Sequence, residues 1–257
     1  MKNYLFKSVC LALLCFGITM QTTAQGIIVN KTDGTKVVYM ASEVQSIETY
    51  DYGEEPGTDP QPGEHEWVDL GLPSGTLWAT MNVGAEKPEE DGYYFAWGET
   101  EPKNDYSKTT YKYLQNDQYT KYNTESSYGS VDNKTELDPE DDAATANWGD
   151  GWQMPTNAQM AELVNKRNTE IVKATLNNIQ GVRIISKNNQ NEIFLPLSGY
   201  MEAAMTKSVD IFGYYWSRSL HTGSPSFADF MRVSSSLGHT SFDFRYNGLS
   251  VRPVRVQ

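Results

Sequence analysis

The sequence predicts an α+β fold: short antiparallel strands in twisted sheets, two short helices, and a small β-hairpin unit ahead of them. Three features predict it. Short apolar runs alternate with Gly, Pro, Asn and Asp clusters along most of the chain. Helix-start chemistry occurs at only two places, around Asp138 and around Thr156. The C-terminal stretch from Phe212 to Val256 reads throughout as strands broken by turns.

The first 24 of the 257 residues read as an export leader. Lys2 and Lys7 give a positive start, Val9 to Ile18 is apolar but too short to span a bilayer, and Ala24 offers a small residue ahead of Gln25. An exported chain is expected, periplasmic, surface-attached or extracellular. Both cysteines, Cys10 and Cys15, fall in this leader, so the mature chain would hold together without disulfides. Leu14 before Cys15 is bulky where a lipid-attachment site takes a small residue, which argues against lipidation. Residues 25–50 read as a small β unit, with Ile27–Val29 and Val37–Met40 joined across an Asp33-Gly34 turn. Residues 51–65, rich in Pro, Gly and acid, read as a linker.

The main domain is expected over residues 66–257. Trp67 to Val83 gives two strands across Pro73-Ser74-Gly75. Gly92 to Gly98, apolar on both faces, reads as a central strand. Glu99 to Glu136 is polar, rich in Tyr, Asn, Thr and Lys, and reads as a long surface insertion. Asp138 is the expected cap of the first helix, with Pro139 at its first position, and Thr156 with Gln159 forms a capping box for the second. Ile171–Leu176, Val182–Ser186 and Ile193–Leu197 read as strands, followed by a turn and loop to Ile211. The six tryptophans are spread along the mature chain and are expected in the core.

In the C-terminal stretch, strands are expected at Gly213–Ser217, Phe227–Val233, His239–Tyr246 and Leu249–Val256, the last an edge strand because of Pro253. Asn247-Gly248 is expected to form a tight hairpin turn. From His239 to Tyr246 the residues alternate. Thr240, Phe242, Phe244 and Tyr246 are expected inward, and His239, Ser241, Asp243 and Arg245 outward.

Charge and motifs narrow the function. The chain carries a formal −12. Residues 25–85 and 86–150 are net −8 and −10, and residues 151–257 are net +4. Such a surface repels nucleic acid, and no stretch beyond the leader approaches a membrane span. Nucleophile elbow, zinc-binding helix, phosphate loop and dinucleotide fingerprint are all absent, so no enzyme, cofactor or catalytic residue is predicted. Asp138, Glu140, Asp141 and Asp142 lack the spacing of a calcium loop, and helix capping accounts for them, so no metal is expected. Mixed aromatic and small polar residues suit a binding surface.

Seven motifs, in order, carry a resemblance. They are Trp67-Val-Asp-Leu-Gly-Leu, Leu77-Trp-Ala-Thr-Met-Asn-Val-Gly-Ala, Tyr94-Phe-Ala-Trp-Gly-Glu-Thr, Asp141-Asp-Ala-Ala, Trp148-Gly-Asp-Gly-Trp-Gln-Met-Pro-Thr, Gly213-Tyr-Tyr-Trp-Ser and Gly248-Leu-Ser-Val-Arg-Pro-Val. Together they resemble the Fibrobacter succinogenes major paralogous domain family over roughly residues 66–256. The resemblance implies a C-type-lectin-like fold, in which two helices flank a twisted antiparallel sheet. Some relatives are variable proteins of diversity-generating retroelements, with ligand-binding positions on the C-terminal strands. It therefore implies a frame at Tyr215-Trp216-Ser217 and Gly248–Val254. It also implies a face for a protein or glycan ligand made of Arg218, His221, Phe227, Asp229, Arg232, His239, Ser241, Asp243, Arg245 and Asn247. The alternatives are a structural or adhesive surface component and an enzyme of the formylglycine-generating type. The latter is opposed by the absence of mature cysteines, and calcium-dependent sugar binding by the absence of Glu-Pro-Asn and Gln-Pro-Asp.

Overall fold

The structure, a computed structural model, describes residues 65–255 and, upstream, the backbone of three strands. β1 (Thr19–Thr23), β2 (Gly26–Asn30) and β3 (Lys36–Met40) form an antiparallel sheet in that order. The pairing of β2 with β3 matches the predicted hairpin, and β1 takes in residues assigned to the leader. The apolar run of the leader, the Asp33-Gly34 turn and most of the linker lie outside the described residues. The chain divides into two compact units, 1–59 and 60–257.

The second unit is mainly strand. β4 (Trp67–Asp69) and β5 (Leu77–Ala79) are the predicted pair, with Gly75 at φ 71° closing the turn. β6 (Tyr94–Phe95) comes next, then the Tyr-rich segment with β7 (Leu114–Gln115) and β8 (Gln118–Tyr119). Its Asn116-Asp117 turn has φ 51° and 61°, left-handed at both positions. α1 (Ala143–Trp148) comes after a 3₁₀ turn at Pro139–Asp141. Its cap is Asp142, whose carboxylate accepts from Ala144 N, Thr145 N and Met154 N, and not the predicted Asp138, which makes no side-chain cap bond. Residues 139–141 coil too tightly to share one α-helix with residues 143–148. After β9 (Trp152–Gln153), α2 (Asn157–Leu163) starts with the predicted capping box and buries Met160 and Leu163.

β10 (Thr169–Leu176), β11 (Ile179–Ser186) and β12 (Glu192–Pro196) form the expected antiparallel sheet, with a left-handed Asn177-Asn178 turn. A hairpin of β13 (Tyr200–Glu202) and β14 (Met205–Lys207) occupies what the sequence suggests is loop. β15 (Gly213–Leu220), β16 (Phe227–Ser234), β17 (Leu237–Phe244) and β18 (Leu249–Ser250) join β6 in a five-stranded sheet, order β17-β16-β15-β18-β6. β19 (Val254–Arg255) leaves for a second sheet, order β4-β5-β19-β9.

Three expectations fail here. β6 is an edge strand, not a central one, because its apolar rings are covered by the Tyr-rich segment rather than by flanking strands. Asn247-Gly248 makes no hairpin: neither residue has positive φ, and β18 runs parallel to β15 instead of returning along β17. The final strand is not at an edge. Pro253 precedes β19, whose place is between β5 and β9, and the Pro253 carbonyl accepts from Ala79 N at 3.0 Å.

The five-stranded sheet divides the unit's apolar interior in two. Tyr214, Trp216 and Phe230 point to one side, among Phe95, Trp97, Leu249 and Val251. Tyr215, Met231 and Val233 point to the other, among Trp78, Met160, Leu163, Val182, Ile184 and Leu195. Trp78, Trp97 and Trp216 are fully buried, as expected of core residues, while Trp67 and Trp148 are partly exposed. The Tyr-rich segment is not a surface insertion. Tyr106, Tyr111, Tyr113, Tyr119 and Tyr122 are all buried and complete the first side. Rings with a polar tip can fill a core when the hydroxyl finds a partner: Tyr106 donates to Tyr94 O, Tyr111 to Trp97 O and Tyr122 to Asp141.

Trp216 packs edge-on against Phe230 and donates from Nε1 to Phe95 O at 2.8 Å. Replacing it with alanine is expected to cost about 3–5 kcal/mol of unfolding free energy, read by urea denaturation. A loss below about 1 kcal/mol would show that the sheet does not depend on this ring.

Candidate functional site

The site grows out of the β16–β17 hairpin. Opposed residues share a face, so Phe227, Asp229 and Met231 lie on the same side as Phe244, Phe242 and Thr240. At the turn end this side is covered by α2 and β10: a Cβ on Gly238 would come within 2.6 Å of Val164 Cγ1 and 2.8 Å of Ile171 Cδ1. At the far end Met231 and Val233 have given way to Phe227, and Phe242 and Phe244 stand 48% and 40% exposed. The alternation holds, but the side it assigns to the core emerges into solvent, because the strand outruns the helix that covers its start.

The exposed rings touch in sequence. His221 stacks on Phe242 with centroids 4.0 Å apart, and Phe227 lies 5.2 Å from Phe242 and 4.7 Å from Phe244. Phe244 stacks on Tyr246 at 5.0 Å and 12°. The result is one aromatic row from His221 to Tyr246. Behind it, His221 Nδ1 and Asp229 Oδ1 are 2.7 Å apart, with the Asp229 carboxylate buried. Burial raises the Asp229 pKa, and the bond to His221 works against that rise.

The ten residues assigned to the ligand face separate. His221, Phe227 and Asp229 belong to the row. Arg232, His239, Ser241 and Asp243 lie on the other side of the hairpin, where the Arg232 guanidinium covers the Phe212 ring at 4.7 Å. There burial, then Arg232, lowers the His239 pKa, and burial raises that of Asp243. Arg218 is elsewhere. The register of β15 shifts between Trp216 and Leu220, and the guanidinium binds Gln153 Oε1 and donates to Leu137 O at 2.7 Å. Asn247 is 4% exposed, beneath the crossing from β17 to β18.

Arg245 reverses its expected position most completely: it is fully buried. Its N–H bond to Ser226 O continues the ladder, so it keeps the side of Asp243 and Ser241, but at this end the Tyr-rich segment closes over that side. The guanidinium lies 4.9 Å from the Trp97 ring centroid and 4.6 Å from that of Tyr119. Nε donates to Tyr111 Oη at 2.9 Å, Nη1 to Tyr122 O at 3.1 Å and Pro225 O at 3.0 Å, and Nη2 to Lys121 O at 3.1 Å. No carboxylate pairs with it among the described residues. Phe242, Phe244 and Tyr246, absent from the expected ligand face, are visible in the sequence as an aromatic set; only its direction is reversed.

The acidic cluster has a structural explanation. Asp138, Glu140 and Asp141 converge closely enough to suit a cation. The Lys121 ammonium already occupies that position, 2.6 Å from Asp138, 2.6 Å from Asp141 and 3.5 Å from Glu140. Burial alone would raise the Asp141 pKa, but bonds from Lys121, Tyr113, Tyr122 and Lys112 outweigh it and bring it to about 2.

No family model, no curated protein and no solved structure matches the chain.

Two outcomes are expected. Arg245→Ala strands the carbonyls of Lys121, Tyr122 and Pro225, so it is expected to cost roughly 3 kcal/mol or more. Hydrogen exchange should then quicken first at residues 111–123. The depressed Asp141 pKa means its stabilisation is complete above its unfolded value near 3.8 and is lost as pH falls towards 2. Asp141→Asn should therefore flatten the acid limb of a stability–pH curve between those values; an unchanged limb would remove Asp141 from the account.

Proposed function

We propose that this chain is an exported, non-enzymatic ligand-binding protein whose contact surface is the aromatic row on the β16–β17 hairpin, built on a C-type-lectin-like scaffold of the kind its motifs resemble. The observation that carries the reading is the unbroken contact of five partly or largely exposed rings, His221, Phe227, Phe242, Phe244 and Tyr246. Contiguous exposed apolar surface is a cost that soluble chains avoid unless something covers it. Rings lose little conformational freedom on binding, and these are already held by one another. The hairpin belongs to a sheet packed on both sides, which supports the idea of a rigid platform.

The chemistry of the row suits a protein or glycan ligand: ring faces and edges for apolar or C–H surface, with His221 at one end and the Tyr246 hydroxyl at the other for polar contacts. The His221–Asp229 pair supports binding rather than turnover. Among the described residues no hydroxyl or thiol bonds to the His221 ring, so the nucleophile of a triad is not in place. The two short helices and the antiparallel sheets are what the resemblance implies. Three corrections alter its ligand face: Arg245 and Asn247 are buried, Arg218 faces a different part of the domain, and Arg232, His239, Ser241 and Asp243 lie on the other side of the hairpin from the row.

The test is a paired variant. Phe242→Ala with Phe244→Ala should keep the melting temperature within a few degrees, since both residues are already close to half exposed. The parent should be retarded in native gels containing one or more of a panel of soluble polysaccharides, or retained on immobilised peptides, and the pair should lose that binding at least tenfold. Equal binding by parent and variant would place the contact elsewhere.

A further inference from the structure

β17 is the outer strand of the five-stranded sheet and runs eight residues, long for an edge. The direction of its backbone groups is set by the ladder. Arg245 N donates to Ser226 O, so stepping by two along the strand puts Asp243, Ser241 and His239 in bonded pairs with Ala228, Phe230 and Arg232. The N–H and C=O groups of Gly238, Thr240 and Phe242 then point away from the sheet. The Phe244 N–H, of the same parity, is turned aside to Asp243 Oδ1 at 2.7 Å, as expected of a group outside the ladder.

We propose that this edge is completed by a second copy of the chain, pairing β17 with β17 in antiparallel fashion about a two-fold axis through Ser241. A two-fold axis permits only registers in which the outward groups of both strands meet. This one bonds Thr240 to Phe242 of the other copy on both sides of the axis and sets Gly238 opposite Phe244, whose own N–H and C=O are held by Asp243 Oδ1 and Asn247 N, so each phenyl ring faces a small or short side chain. It also sets His239 opposite Asp243 twice, once on each side of the axis. Those two side chains share a side of the hairpin, and opposite partners across a strand pair attract where like ones repel. A register centred one residue later would face Asp243 with Ser241 and leave His239 without a carboxylate.

Charge on a larger scale favours the same surface. The strand lies in residues 151–257, net +4, whereas the preceding segments are net −8 and −10. Two copies of an acidic chain meet with least repulsion there. The pairing keeps Phe242 and Phe244 of both copies on one side of a continuous sheet, so it joins two aromatic rows without covering them. It stands independently of what those rows bind.

Sedimentation velocity on the full chain tests this across the micromolar range. The parent is expected to dimerise reversibly. Thr240→Pro, which removes an outward N–H while leaving the inner ladder its donors, should be monomeric. A second pair guards against misfolding. His239→Asp alone and Asp243→Lys combined with His239→Lys should each be monomeric, and mixing the two should restore a dimer by opposite charge. A parent that stays monomeric at all concentrations, a dimer that survives folded Thr240→Pro, or charge variants that self-associate as the parent does would each overturn the proposal.

Discussion

The buried guanidinium of Arg245 is the constraint on which the rest of this domain depends. A charge taken from water is expensive unless its donors are satisfied. Here they are met by three backbone carbonyls and a tyrosine hydroxyl, with aromatic faces around the plane. Three of those groups, from Tyr111, Lys121 and Tyr122, belong to a segment almost without aliphatic residues. Such a segment could not bury itself by hydrophobicity alone. The arginine gives it a fixed set of partners, and the tyrosines then close over the apolar side of the sheet.

Arg252 plays a parallel part. It is fully buried, donating to Asn82 Oδ1, Ala79 O and Phe194 O at 2.9–3.1 Å, and burial pulls its pKa down to about 10. Its partners come from two distant parts of the chain, so it joins β5 and the loop just after it to β12 near the point where the chain passes from one sheet to the other. Neither arginine has a carboxylate partner among the described residues. Both use the planar fork of donors to gather backbone carbonyls that would otherwise lie unpaired, a task lysine could not perform in the same geometry.

Much of this is legible in the sequence wherever a local rule decides the outcome. The capping box at Thr156, the β4–β5 pair and the three strands from 169 to 196 depend on neighbours a few residues away, and each is present. The failures have one physical cause. Period-two alternation says which residues share a side, and it does so for Thr240, Phe242 and Phe244; it cannot say what lies over that side. That depends on where α2 ends relative to β17, a tertiary fact. The same holds for Asn247-Gly248, whose composition suits a tight turn but whose chain crosses to β18, with Gly248 bonded in both directions to Met201 at 2.7 and 2.9 Å. The Tyr-rich segment misleads because polar composition suggests exposure, when the tyrosine hydroxyls and Arg245 supply each other's partners.

The candidate site and the buried arginine are linked by a simple geometric relation. Arg245 lies between Phe244 and Tyr246 in the chain. With the Arg245 side chain driven inward, Phe244 is turned outward, and the Phe244 ring stacks on the half-buried Tyr246 ring at 5.0 Å and 12°. The free energy that holds the guanidinium in its box therefore also holds the end of the aromatic row. Phe242 and Phe244 gain nothing from solvent, and an alternative in which they turn inward would require Arg245 to leave its carbonyl partners. That alternative loses several hydrogen bonds to a charged group, each worth about 1.5–3 kcal/mol, against about 2 kcal/mol for burying a phenyl ring further. The exposed row is thus the lower-energy arrangement of this sequence, and its rigidity derives from a residue that never reaches the surface.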